Sequence, residues 1–222
     1  MSNMKVFRFE VDEQYAKEHN EMLRDTRSLK LSGISLFIIS LIAGVIIWLQ
    51  VAPDSPWRLL GSLGLVLFGV TMLIVGILIP KSVGSAQKLY DTHPIAPAVV
   101  AKRNGTDYVL LALVNTNVDP ALPPRWAVTA RNIRFLPQED AHEGAHVPVV
   151  AIGGQRSVHS KDQWQTITPM PIAWGTPDYS VVSTARKSIP RNQWEVLEKA
   201  AQALKDVRDA KNTLIFVGEL LS

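Results

Sequence analysis

The 222-residue chain contains no cysteine. That absence excludes disulfides, thiolate zinc sites, iron–sulfur clusters and thiol nucleophiles. A surplus of one charge is missing as well: 23 Lys and Arg stand against 20 Asp and Glu, and no long basic block occurs. A dedicated nucleic-acid binder needs such a block, so no nucleic-acid partner is expected. The chain also lacks a phosphate loop, because Gly153-Gly154 runs into Gln155-Arg156 rather than into the glycine spacing and Lys-Ser/Thr of a nucleotide site. No G-x-S-x-G is present and His159-Ser160 reads as a polar turn, which leaves a serine nucleophile unsupported. Internal repeats and low-complexity segments are absent.

Charge is missing most completely from two stretches. Residues 31–50 and 59–79, 20 and 21 residues long, hold no Asp, Glu, Lys, Arg or His. A helix crosses the roughly 30 Å of bilayer hydrocarbon with about 20 apolar residues, so both stretches read as membrane spans, and the lipid bilayer is the first expected partner. Two buried core helices of this size would carry more apolar surface than the 143 residues from Pro80 onward could cover. A secretory signal does not fit either. The first stretch follows a 30-residue charged segment, exceeds the usual apolar length of about 7 to 15 residues, and lacks a small-x-small cleavage site. The expected layout is a strand and helix in 1–30, a two-helix transmembrane hairpin in 31–80, a connector in 81–97 and a β-rich domain with a C-terminal helix in 98–222.

Arg24, Arg27 and Lys30 precede the first span, Lys81 and Lys88 follow the second, and the link 51–58 offers only Arg58 against Asp54. The positive-inside rule then places both termini in the cytoplasm of a multi-pass plasma-membrane protein. Pro53 and Pro56 make the link a tight turn, and Trp48 and Trp57 fall where indoles prefer the membrane interface. Ser62, Gly69 and Gly76 recur every seven residues, and Ser40-x-x-x-Gly44 lies in the first span. Small residues allow close helix contact. They pack the hairpin on itself or, through Ser40, Gly44, Gly69 and Gly76, grip another membrane protein. With no ionisable group in either span, a transporter or channel working alone is not expected.

Phe7, Phe9 and Val11 alternate with Arg8 and Glu10, the period of a half-buried strand that must pair with the C-terminal domain. From Asp12 the pattern turns helical, with Tyr15, Met22 and Leu29 at heptad spacing and Gly33 as the expected bend on the way into the membrane. After Pro80, Pro94 and Pro97, strands are expected at 98–102, 108–115, 125–130, 147–152, 164–168 and 180–184. Short antiparallel strands at this spacing suggest a small barrel or sandwich. A helix capped by Ser188 should start at Ile189-Pro190 and place Trp194, Leu197, Ala201, Leu204 and Val207 on one face. A last strand is expected at 213–220.

One pattern carries a catalytic meaning. His142-Glu143-Gly144-Ala145-His146 matches H-E-x-x-H, in which two histidines one helical turn apart hold zinc and the glutamate is the general base. The chemistry requires a helix. Gly144 and Pro148 sit in or beside the motif, Val147 already reads as strand, and no helix follows closely to supply a third ligand. His142 and His146 are therefore weak metal candidates; no catalytic residue, metal or cofactor is expected, and a zinc-dependent hydrolase is the weaker alternative. The acidic cluster Glu139, Asp140 and Glu143 reads as a solvated loop.

Trp126, Trp164, Trp174 and Trp194 are more tryptophans than a core of this size needs. Residues 164–174 combine Trp164, Trp174, Met170 and prolines in a composition that suits a contact surface, although packing in the core is the stronger reading of the same residues. Arg131, Arg134, Arg186, Lys187 and Arg191 could meet anionic headgroups.

The Phe7-Arg8-Phe9-Glu10-Val11-Asp12-Glu13 start, the two-span hairpin and Pro124-Arg125-Trp126-Ala127-Val128-Thr129 together resemble a group of uncharacterised two-span membrane proteins from corynebacteria and their actinobacterial relatives. The layout is also similar to accessory subunits of the actinobacterial cytochrome bcc–aa3 respiratory supercomplex, which carry no redox centre. That resemblance implies a plasma-membrane location and a role in assembly or support. The absence of chemistry, with gripping surfaces on the small-residue faces of the spans and at Trp164 and Trp174, leads to the expectation of a non-catalytic accessory protein that joins a larger integral membrane protein complex. A partner in cell-envelope lipid export is the alternative the same lineage implies.

Overall fold

The computed structural model describes residues 4–119, 121–156, 162–201 and 214–220. The chain forms two compact units. One is a helical hairpin, residues 22–84; the other joins residues up to Glu21 to everything from Ser85 onward. The hairpin is thus an insertion into a domain built from both sides of it.

In the hairpin, α2 runs unbroken over Glu21–Gln50 and α3 over Pro56–Val83. Pro56 occupies the first turn of α3, where its missing N–H costs nothing. Gly33 lies inside continuous helix. Its role is close approach rather than bending: a Cβ there would sit 2.8 Å from the Met72 carbonyl oxygen and 3.0 Å from the Gly76 Cα.

The domain opens with an extended segment in which Phe7, Phe9 and Val11 do turn inward while Arg8 and Glu10 face out. No strand forms there. Its backbone groups are met by the Gln87 side chain, which accepts from Val11 N–H and donates to the Phe9 carbonyl, and Lys5 O accepts from a strand residue, Ile95. Asp12 caps α1 (Glu13–His19) by accepting from Gln14 and Tyr15 N–H. The expected continuous helix into the membrane breaks at Asn20, which takes an extended conformation before α2 begins.

The stretch read as a connector holds the end of α3, a short helix α4 (Ala86–Thr92) and the start of β1. Six strands follow: β1 Ile95–Asn104, β2 Asp107–Asn115, β3 Trp126–Ile133, β4 His146–Gly153, β5 Ile167–Pro171 and β6 Leu214–Phe216. They form one curled antiparallel half-barrel in the order β5-β4-β1-β2-β3-β6. Tyr108 to Val114 of β2 are buried on both faces, so this central strand reads as a continuous apolar run. The curl brings β5 near β3, where Thr129 Oγ1 and Arg131 Nη1 donate to the carbonyls of Ile167 and Pro169. Edge carbonyls are thereby satisfied without a ladder.

Among the described residues two helices, not one, cover the sheet. α5 (Tyr179–Ser188) occupies the region expected as strand 180–184, because Asp178 caps it and Val182 and Ala185 share its buried face. α6 (Arg191–Ala201) follows Pro190, with Trp194, Leu197 and Ala200 buried. Ser188 does not cap it; its hydroxyl donates back to Ala185 O at the end of α5. Leu204, Val207 and Thr213 lie outside the described residues. The expected strand 164–168 falls three residues later, and the last strand gives way to a helical turn, Val217–Leu220.

Candidate functional site: an apolar hairpin and a groove beside His146

Among the described residues two helices are long and apolar enough to cross a membrane, and only 17 % and 11 % of their apolar stretches are buried. Core helices of a soluble protein would be mostly covered. Leu36, Ile39, Ile46 and Leu49 on α2 and Leu60, Leu63, Leu67 and Ile74 on α3 are exposed. The hydroxyls of Ser62 and Thr71 donate to carbonyls of their own helix, at Arg58 and Leu67, which removes unpaired polar groups from an apolar setting.

The small residues proposed as a grip line the seam inside the hairpin. A Cβ on Gly69 would meet Ser40 Cβ at 3.0 Å, one on Gly76 would meet Gly33 Cα at 3.1 Å, and one on Gly44 would meet the Ser62 carbonyl at 3.2 Å. Ser40, Gly44, Gly69 and Gly76 are therefore consumed by packing of α2 on α3 rather than left open to a partner. At the turn, Arg58 lies over the Trp48 ring, 4.4 Å from its centroid, while Trp57 projects outward.

In the domain, H-E-x-x-H spans a turn and the first residue of β4. Gly144 takes φ +82°, a left-handed conformation that stops any helix through the motif. Glu143 is engaged elsewhere, accepting from Arg103 N–H at 2.7 Å beside the bulge in β1. His146 stacks on Trp194 with ring centroids 4.4 Å apart, and its Nε2 lies 2.8 Å from Glu198 Oε1. His142 neighbours Asp140 instead. Among the described residues no three His, Cys, Asp or Glu side chains converge as a metal site. Beside His146 an open groove of about 570 Å³ is lined by Lys187, Arg191, Trp194, Glu195 and Glu198, a mix of both charges.

Asp140, expected in a solvated loop, is buried and pairs with Arg186 at 2.6 Å. Burial pushes its carboxyl above the ordinary range, against the pull of Arg186. This pair was not legible in the sequence, which gives no sign that residues 46 positions apart meet. Arg131 is also used internally, donating to Pro169 O and lying over the Trp174 ring at 5.2 Å. Neither arginine is free for lipid.

Trp174 is fully buried and donates from Nε1 to Phe135 O at 2.8 Å, so it is a core residue and not a surface anchor. Trp164 is half-buried against Gly153 with Arg156 over its ring. The least expected cluster surrounds the root of α2. Glu21 accepts from the N–H groups of Arg134 and Phe135, and Asn20 donates to the Met170 sulfur. Tyr90, buried beside them, donates to Pro171 O, and burial pushes its phenol well above its usual range.

Residues 81–205 match the model of a family described as "Protein of unknown function (DUF3239)". The chain belongs to the DUF3239 family. This DUF3239 chain is 48 % identical to a solved structure described as "a putative membrane protein from Corynebacterium diphtheriae", with a TM-score of 0.52, over 55 % of this chain and 98 % of that one. The match agrees with the corynebacterial resemblance of the sequence. Among curated proteins no relative matches.

Proposed function

We propose that this DUF3239 protein is a non-catalytic two-span membrane protein whose domain, on the cytoplasmic side of the plasma membrane, supports a larger integral membrane complex. The observation that carries this reading is the insertion of the hairpin into the domain. The chain leaves the domain at Glu21 and returns to it at Ser85, which supports both span ends joined to the domain lying on one side of the bilayer, and the flanking charges favour the cytoplasm for that side. The exposed faces of α2 and α3, opposite the seam, are the surfaces left for a partner within the bilayer. The glutamate of H-E-x-x-H is bound to a backbone amide, which speaks against the hydrolase alternative. The actinobacterial bcc–aa3 respiratory supercomplex is the partner to test first, on the resemblance in layout and the corynebacterial relative.

The test is purification of the tagged full chain from native membranes in a mild detergent. Stoichiometric recovery of bcc–aa3 subunits is the expected result; a solitary protein overturns the accessory role. Because the chain is free of cysteine, Ser55→Cys in the link and Thr106→Cys in the β1–β2 turn report sidedness directly. An impermeant maleimide should label Ser55→Cys alone from outside the cell, and labelling of Thr106→Cys instead reverses the orientation.

A further inference from the structure

The hairpin carries its charge at one end. Its acidic residues are Asp25 and Asp54 and its basic residues are Arg24, Arg27, Lys30, Arg58 and Lys81. At the turn, Arg58 is folded over Trp48, and Asp54 lies four residues before it in the sequence. At the end joined to the domain, Arg24, Arg27, Lys30 and Lys81 are exposed, and none has an ion pair or hydrogen bond within the described residues. Asp25 is the single counter-charge there.

Helix geometry gathers these cations. Residues three apart on a helix are turned about 60° from each other, so Arg24, Arg27 and Lys30 fan across one side of α2. The seam pairs Gly33 with Gly76 and Ser40 with Gly69; continued five residues, the same register sets Lys81 level with Ser28, between Arg27 and Lys30. The uncharged run begins at Leu31. At about 1.5 Å per residue the four cations occupy the first 10 Å or so beyond it, the depth of the headgroup layer that flanks the hydrocarbon.

We propose that Arg24, Arg27, Lys30 and Lys81 form a collar that binds the phosphate groups of anionic phospholipids. Guanidinium groups grip phosphate in a two-pronged fashion and lysines add point charge. The collar explains why four cations stand unpaired on a chain that pairs or stacks Arg58, Arg131 and Arg186 internally. The proposal rests on the membrane reading above but not on any partner protein.

The test uses the full chain in mild detergent with an equimolar mixture of phosphatidylglycerol and phosphatidylcholine, and native mass spectrometry to count bound lipids. Phosphatidylglycerol should be enriched, and added salt should erode the enrichment. A surface cation contributes on the order of a fivefold preference, so Lys30→Gln with Lys81→Gln should cost about 25-fold, and adding Arg24→Gln and Arg27→Gln should bring the two lipids level. Arg24→Lys with Arg27→Lys should retain most of the enrichment, and circular dichroism of each variant checks that the helices persist; where the quadruple variant does not fold, the double variant decides. Equal retention of both lipids by the parent chain, or undiminished enrichment in the folded variants, overturns the collar. Displacement of the lipid by inorganic phosphate would reassign it as a free-phosphate site and overturn it too. A solitary protein that still selects phosphatidylglycerol would sink the accessory role and leave the collar standing.

Discussion

Replacing Trp174 by alanine separates a core role from a docking role. The indole is fully buried, donates to Phe135 O and lies under the Arg131 guanidinium. Truncating a buried tryptophan removes its apolar contacts and leaves a cavity, together costing about 3–5 kcal/mol. The unpaired Phe135 carbonyl places the loss toward the upper end. For a folded unit of this size each kcal/mol moves Tm by about 2–4 °C, so Trp174→Ala should lower the domain's Tm by roughly 10 °C or more. Trp174→Phe keeps a ring beneath Arg131 and loses the N–H donor, for a smaller cost of about 1–3 kcal/mol. Thermal unfolding of the full chain in detergent, followed by near-ultraviolet circular dichroism, reads both. A Tm within about 2 °C of the parent for Trp174→Ala, with loss of a co-purifying partner, would refute the burial argument and return Trp174 to the surface.

Two further perturbations test the seam and the buried ion pair. Gly33→Leu drives a side chain into the Met72 carbonyl and should weaken the hairpin by about 1–3 kcal/mol, whereas Gly64→Leu meets nothing within 4 Å and should be tolerated; resistance of helicity to sodium dodecyl sulfate compares them, and equal sensitivity would refute the seam. Burial raises the folded carboxyl of Asp140 above its unfolded value, so between those values the folded domain keeps a proton the unfolded chain has released. Its contribution is present at low pH and is lost as pH climbs through the raised value. Stability of the parent relative to Asp140→Asn should therefore fall as pH rises from about 4 toward neutrality, and a flat or rising difference would refute the assignment.

Features that repeat along the chain were legible in the sequence; features that depend on a distant partner were not. The two uncharged runs gave the hairpin because bilayer thickness fixes their length. The strands β1 to β4 were legible from β-branched residues between turns such as Asn104-Gly105, and α6 from the face of Trp194 and Leu197. Residues 180–184 misled because Val181, Val182 and Thr184 carry strand propensity, while the cap at Asp178 decided for helix. The segment at Phe7 kept its alternation but lost its ladder to Gln87, 78 residues from Phe9. Burial of Trp174 and of Asp140 likewise depends on side chains that the curl of the sheet brings in. For the candidate site, the small residues were rightly singled out as helix contacts, but nothing local tells whether such a face meets its own hairpin or a stranger; only the antiparallel register does.

That register, with the insertion, also constrains how the protein is made. Residues 4–21 cannot complete their packing when they are synthesised, because Tyr90, Gln87, Phe135 and Met170, against which Phe9, Glu21 and Asn20 lodge, come after both apolar helices. The N-terminal segment must wait on one side until the second helix has returned the chain to it. A single crossing would strand the segment opposite its partners and leave the Arg134 and Phe135 amides without the Glu21 carboxylate, a loss of the order of 1–3 kcal/mol for each of these part-buried, charge-assisted hydrogen bonds. On the proposed membrane reading, domain folding therefore favours an even number of crossings independently of the flanking positive charges, and Arg24, Arg27, Lys30 and Lys81 stay outside the domain's own packing.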